Sequence, residues 1–156
     1  MIDSPGLALE RLTIRYGDTL AVDGITLDVR EGEILALVGP SGCGKTSVLR
    51  AVAGMLEPAG GRIHIGDADV TELPPARRKI GLVPQSYAMF PHMSVRGNVE
   101  YGLRARGVGR VERTRRTDDV LELVGLTDYA GRRPGALSGG QQQKLVVFCL
   151  AAALRY

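Results

Sequence analysis

Eight consecutive residues, Gly39–Thr46, read GPSGCGKT and fit the pattern G-x-x-x-x-G-K-[ST]. The chemistry of that spacing is phosphate binding. Gly39, Gly42 and Gly44 let the backbone turn tightly enough for successive N–H groups to converge on one anion. A helix opening at the same place adds its positive dipole end. Lys45 brings a full charge to the terminal phosphates, and the Thr46 hydroxyl is an oxygen ligand of the kind Mg²⁺ takes while keeping several waters. At average composition the pattern arises by accident in roughly one chain in 200 of this length, so a chance Gly-rich turn is the weaker reading. Cys43 sits where a helix start could tune a thiol; a small loop-filling residue is the plainer account of it.

A phosphate cradle needs a strand before it and a helix after it, and the flanking sequence supplies both patterns. Glu33–Val38 (EILALV) is a short, nearly continuous apolar run, which predicts a strand covered on both faces. Lys45–Met55 (KTSVLRAVAGM) places Val48, Leu49, Val52 and Met55 on one face at helical spacing. Upstream, Leu7–Tyr16 alternates loosely and Ile25–Arg30 more cleanly, as strands half exposed to solvent do. Arg62–Ile65 and Ile80–Val83 are further short strand candidates. Ser94 is placed to cap a helix running to about Arg104. Another helix is expected from about Val111 to Val124, ended by Gly125, and a fourth from about Gly139. Early strands followed by a helical middle predict an α/β core carrying a helical insertion.

The 156 residues suit one domain, with 44% apolar and 24% charged residues in the ordinary globular range. The net charge of +3 fits an anionic ligand but is too small to mark nucleic acid. Two cysteines, Cys43 and Cys149, build no disulfide framework, so the chain reads as cytosolic. The N-terminus carries no signal-peptide pattern, and the longest apolar run, Leu145–Leu154, is too short to span a bilayer. His64 and His92 have no second ligand near them in the sequence and read as packing residues. The basic stretches Arg77–Lys79 and Arg110–Arg116 could suggest nucleic acid; in Arg110–Arg116, Glu112 within and Asp118 and Asp119 beyond favour a solvated helix face.

Three more features stand in fixed order around the cradle: Tyr16 in RYGDTLAVDGITLDV, Gln85 in GLVPQSYAMFPHMSV, and LSGGQQQ at Leu137–Gln143. With these the chain resembles the ATP-binding subunit of an ABC transporter from about Leu9 to Gln143. The resemblance implies a P-loop NTPase fold of ABC type: an antiparallel β lobe and a parallel-sheet core over residues 1–86, a helical subdomain over 87–136, and a signature helix over 137–156. It implies ATP and Mg²⁺ as ligands. Tyr16 would stack on adenine, its alternative being a strand-edge packing residue. Gly39, Ser41, Gly42, Cys43, Gly44, Lys45, Thr46 and Ser47 would surround the phosphates. Thr46 and Gln85 would approach Mg²⁺, and Gln85 also the attacking water and the membrane subunit. Ser138, Gly139, Gly140 and Gln141 would meet the γ-phosphate of nucleotide held by a second ATPase subunit; the alternative is an ordinary Ser-capped helix. The segment after Gln85 would form a groove for a coupling helix of a transmembrane permease. YAMFPHMSVRGNVEYGL resembles importers of the polyamine, ferric-iron, sulfate and sugar group, which work with a solute-binding protein. No nucleic-acid partner is expected, and the place implied is the cytoplasmic face of the cell membrane.

In that family an arginine-bearing helix follows LSGGQQQ, then an apolar strand ending in Asp-Glu, and later a His. Here Lys144 holds the first basic position, Cys149 falls where an arginine is usual, and no carboxylate follows Asp128. Asp67 and Asp69 belong to a turn of the β lobe and are poor substitutes. The sequence therefore reads as a truncated or frameshifted ATPase whose hydrolysis is deficient, with an incomplete sheet. The run LVVFCLAAAL, apolar on every side of a helix, calls for full burial, and nothing after it in these residues can provide the cover. Two rivals remain, a non-catalytic partner or nonfunctional fragment of such an ATPase, and a soluble LSGGQ-type ATPase acting on DNA. Relatives of the latter kind interrupt the motif with a long coiled coil, and no sustained heptads occur here.

Overall fold

The computed structural model describes residues 5–84 and 89–154. The chain forms two compact units, divided between Ile80 and Gly81.

The first unit is built on four antiparallel strands in the order β2-β1-β3-β4, with β1 Leu7–Tyr16, β2 Thr19–Val29, β3 Gly60–Ile65 and β4 Ala68–Asp69. The loose alternation of β1 has a structural cause. Leu9 faces the core and so do Leu12 and Ile14, a switch from odd to even positions. Arg11, at φ 47°, takes up the extra residue, and the β1–β2 register shifts between Leu9 and Leu12. Without that bulge, one of the two apolar sets would point to solvent. Helix α1, Lys45–Val52, lays Val48 and Ala51 on Leu9, Leu12, Ile14, Val22, Ile63 and Val70. It is shorter than its apolar spacing predicts. Gly54, at φ 74°, ends it as Gly54 N–H donates to Ala51 O and Met55 N–H to Arg50 O, a Schellman closure.

The expected strands at 33–38 and 80–83 do not form. Both segments lack regular structure, and Ile34 and Val38 are 94% and 89% exposed. An apolar strand of the centre of a parallel sheet takes its shape from hydrogen-bonded neighbours on both edges. Among the described residues no strand pairs with either segment.

The second unit is helical: α2 Val95–Ala105, α3 Arg110–Leu123 and α4 Gly139–Leu154. Ser94 caps α2 by accepting from Gly97 N–H at 3.0 Å, and Gly125 at φ 69° closes α3, as their positions in the sequence predict. Val95 and Val99 of α2, Val120 and Leu121 of α3, and Leu145 of α4 form one core with Leu126 and Leu137. Helix α4 is covered in part only. Leu145 and Val146 are buried, but Val147 is 45% exposed, because α2 and α3 cover only one side of the helix.

Candidate functional site

The cradle lies at the amino end of α1. Gly44 is its N-cap, at φ 89°, with no side-chain capping bond. That leaves the first N–H groups of the helix without a side-chain acceptor, which is the arrangement an anion completes. Gly44 also packs closely: a Cβ there would lie 2.6 Å from Ala21 O and 2.8 Å from a Val22 methyl. β2 and the cradle thus touch through a position with no side chain. Lys45 folds back over the loop, its Nζ donating to Gly39 O at 2.7 Å and Pro40 O at 2.6 Å, with Cys43 Sγ at 3.3 Å. Ser41, Gly42, Cys43 and Thr46 are exposed and Ser47 is half-buried.

Tyr16 ends β1 beside the head of α1. Its hydroxyl and the Ser47 hydroxyl are 3.2 Å apart, and the residue is 46% exposed. The structure therefore places Tyr16, an exposed aromatic ring, beside the loop that leads into α1. Gln85 lies outside the described residues.

Ser138, Gly139, Gly140 and Gln141 belong to the other unit, at the head of α4. Ser138 N–H donates to Gln141 Oε1 at 2.9 Å, and Gln141 N–H to Ser138 Oγ at 3.4 Å. This reciprocal pair is a capping box in which glutamine plays the reaching-back part. The Ser138 oxygen is used by the helix itself, while its hydroxyl proton can still be donated. Gln142, which the sequence reading passed over, donates from Nε2 to Pro134 O and Leu137 O and so fixes the turn before the motif.

The second unit also carries an apolar groove of about 240 Å³, lined by Leu82, Pro84, Met89, Phe90, Tyr101 and Leu150 among others. Asn98 shapes its rim: its Oδ1 accepts from Phe90 N–H at 2.7 Å and its Nδ2 donates to Phe90 O at 3.2 Å. Phe90 packs on Tyr101 at 4.4 Å between ring centroids, with His92 edge-on behind it. Cys149 lines the same groove, and burial pushes its thiol up to about 12. The basic run on α3 is internally paired, Arg115 and Arg116 with Glu112, and Arg115 with Asp119. Among the described residues no group of three or more His, Cys, Asp or Glu is placed to hold a metal. Nor does any helix among them have the length and apolarity to cross a membrane.

The sequence profile of the ABC transporter family matches residues 22–154, which include the cradle and the LSGGQ helix. The chain belongs to the ABC transporter family. It is 49% identical over 142 residues to a putative 2-aminoethylphosphonate import ATP-binding protein of Salmonella typhimurium, covering 91% of this chain and 38% of that protein. A spermidine/putrescine import ATP-binding protein of Acidothermus cellulolyticus is 47% identical over 149 residues, 93% of this chain and 39% of that one. A putative ATP-binding protein of Brucella abortus is 46% identical over 143 residues, 92% and 54% of the two chains. This ABC chain thus spans between about two fifths and about half the length of these relatives. Both of the first two are named as import ATP-binding proteins, and the second, for the polyamines spermidine and putrescine, falls in the importer group that the sequence suggests.

Proposed function

We propose that this chain binds ATP with Mg²⁺ in the Gly39–Ser47 cradle and acts as the nucleotide-binding part of an ABC importer. In that role ATP binding and hydrolysis drive a small solute through transmembrane permease subunits. The observation that carries the reading is the uncapped head of α1 with Lys45 folded over a glycine loop. Of the three Lys45 contacts, the one to Cys43 Sγ is the weakest, since sulfur is a poor acceptor. A β- or γ-phosphate oxygen replaces it with a charge-assisted bond while the two carbonyls keep the ammonium in place. Backbone N–H groups of residues 42–47 hold the phosphates, and the Tyr16 ring offers a stacking face for adenine.

Thr46 fits a Mg²⁺ role: the residue is exposed, carries a hydroxyl and stands at the second position of α1. Mg²⁺ takes few protein ligands when phosphates and waters supply the rest. Held at Thr46, the ion would supply positive charge to offset that of the phosphates. Gln85 is proposed to sense the ion and the attacking water. Ser138, Gly139, Gly140 and Gln141 would meet nucleotide on a second ATPase subunit. The groove at Met89, Phe90 and Tyr101 would receive a helix of a permease, at the inner face of the cell membrane, with a solute-binding protein acting indirectly.

Among the described residues no hydrogen bond or ion pair joins a carboxylate to residues 39–47, and no acid follows Asp128 in the sequence. These 156 residues by themselves should therefore bind ATP but turn it over slowly, because positioned acids supply the water activation of phosphoryl transfer. The formed capping box at Ser138 and Gln141 supports a second use, lending the α4 head to a complete ATPase subunit. Equilibrium dialysis with labelled ATP and Mg²⁺ tests the main reading. The wild-type chain should retain nucleotide and Lys45→Ala should lose at least about ten-fold in affinity. A wild-type chain that retains no ATP at millimolar concentration refutes it.

A further inference from the structure

We propose that Arg78 is a positioning residue for nucleotide: by clamping the carboxyl end of α1 it fixes the phosphate cradle at the amino end. The proposal rests on the cradle being the ATP site, but the clamp itself is independent of that reading.

Arg78 is only 4% exposed. Its guanidinium donates to four backbone carbonyls: Leu73 O from Nε at 2.7 Å, Thr71 O from Nη2 at 2.8 Å, and Ala51 O at 2.6 Å and Val52 O at 2.9 Å from Nη1. The last two carbonyls end α1 and form the negative pole of its dipole. Among the described residues no carboxylate pairs with Arg78. A buried charge held this way is a poor source of net stability, since an apolar residue of similar size often does as well. What it supplies is direction: a planar fork with fixed donor angles joins the helix end to the 71–73 segment.

Position 54 is adapted to the clamp. A Cβ on Gly54 would fall 2.6 Å from Arg78 Nε and 3.0 Å from its Cζ, so the guanidinium fills the space that any other residue would need. Helix α1 has eight residues. At about 1.5 Å per residue it is a rod of about 12 Å, too short to bend, and a shift at its tail is carried to its head. The sequence hid this role because Arg77, Arg78 and Lys79 form one basic triplet; only the middle one is buried.

The test compares the wild-type chain with Arg78→Met and Arg78→Lys. Three quantities are read: ATP affinity by dialysis, hydrogen exchange of the Val48 amide, which bonds to Gly44 O at 2.9 Å at the head of α1, and the urea midpoint. Methionine keeps the apolar stem and removes every donor; lysine keeps the charge but not the fork. Expected for Arg78→Met, under conditions where circular dichroism shows it folded, is about ten-fold weaker ATP binding and about ten-fold faster exchange at the Val48 amide. Arg78→Lys should recover part of both. If Arg78→Met does not fold, Arg78→Lys alone decides, with a loss of about three-fold expected in each readout. A folded variant whose affinity and Val48 exchange stay within two-fold of wild type, whatever its urea midpoint, overturns the proposal and leaves Arg78 a fold residue. If the wild-type chain itself binds no ATP, the nucleotide reading fails, and the exchange comparison still decides whether Arg78 holds the loop.

Discussion

Alanine at Gly44 should cost considerably more than alanine at Gly42, although both glycines sit in the same loop with nearly the same backbone angle. Gly42 has φ 84° and Gly44 φ 89°, so an L-residue at either pays for the left-handed region, roughly 1–2 kcal/mol. At Gly42 that is the whole effect, because no atom lies within 4 Å of the added Cβ. At Gly44 the methyl would meet Ala21 O at 2.6 Å and Val22 Cγ2 at 2.8 Å, and β2 must move to admit it. Overpacking of that kind adds roughly 1–3 kcal/mol, giving a total of roughly 2–5 kcal/mol. Against a typical stability of about 5–15 kcal/mol, Gly42→Ala should fold normally and Gly44→Ala should be visibly weakened. Urea denaturation followed by far-ultraviolet circular dichroism measures both, and suits a chain with no tryptophan. The slope should be unchanged and the midpoint should fall for both, further for Gly44→Ala. Equal losses at the two positions would refute the close approach of the cradle to β2.

Three further outcomes follow from individual contacts. Asn98→Ala leaves the half-buried Phe90 N–H without its acceptor and should cost about 1 kcal/mol in urea denaturation, whereas a loss below a few tenths would show the Asn98 clasp to be incidental. Hydrogen bonds from Arg115 first, then Arg116, hold the Glu112 carboxyl down at about 2, below its usual 4.5. Its contribution is therefore fully present above pH 4.5 and lost as pH falls through 2. A carbon-13 titration should show that low midpoint in dilute salt and a return toward 4.5 when both arginines are replaced; an unshifted wild-type midpoint contradicts the pairing. At pH 8 a maleimide should label exposed Cys43 first and spare Cys149, whose thiol burial keeps protonated. Equal labelling of the two in the folded chain would refute that burial.

The parts of the fold legible in the sequence were those set by local rules. Ser94 and Gly125 mark helix ends because capping depends on the few residues beside them. The start of α1 at Lys45 was legible from the glycine, lysine and threonine spacing, while the strand expected before the loop did not form. The bulge at Arg11 was hidden inside what looked like weak alternation, although the jump of the core face from Leu9 to Leu12 is its signal. Segments 33–38 and 80–83 misled because apolarity marks a strand suited to a sheet centre but does not provide the partners. Arg78 and Asn98 could not be read ahead: each acts on backbone atoms, and carbonyls carry no letter in a sequence.

The central claim, that the Gly39–Ser47 loop is a nucleotide phosphate site, is tested most directly by amide nuclear magnetic resonance of the chain titrated with ATP and Mg²⁺. The account predicts that the largest shifts fall on the N–H groups of Gly42–Ser47, with ring signals of Tyr16 moving in step at one common affinity. Shifts that leave residues 39–47 untouched while ATP binds elsewhere, or no shifts at millimolar nucleotide, would contradict it.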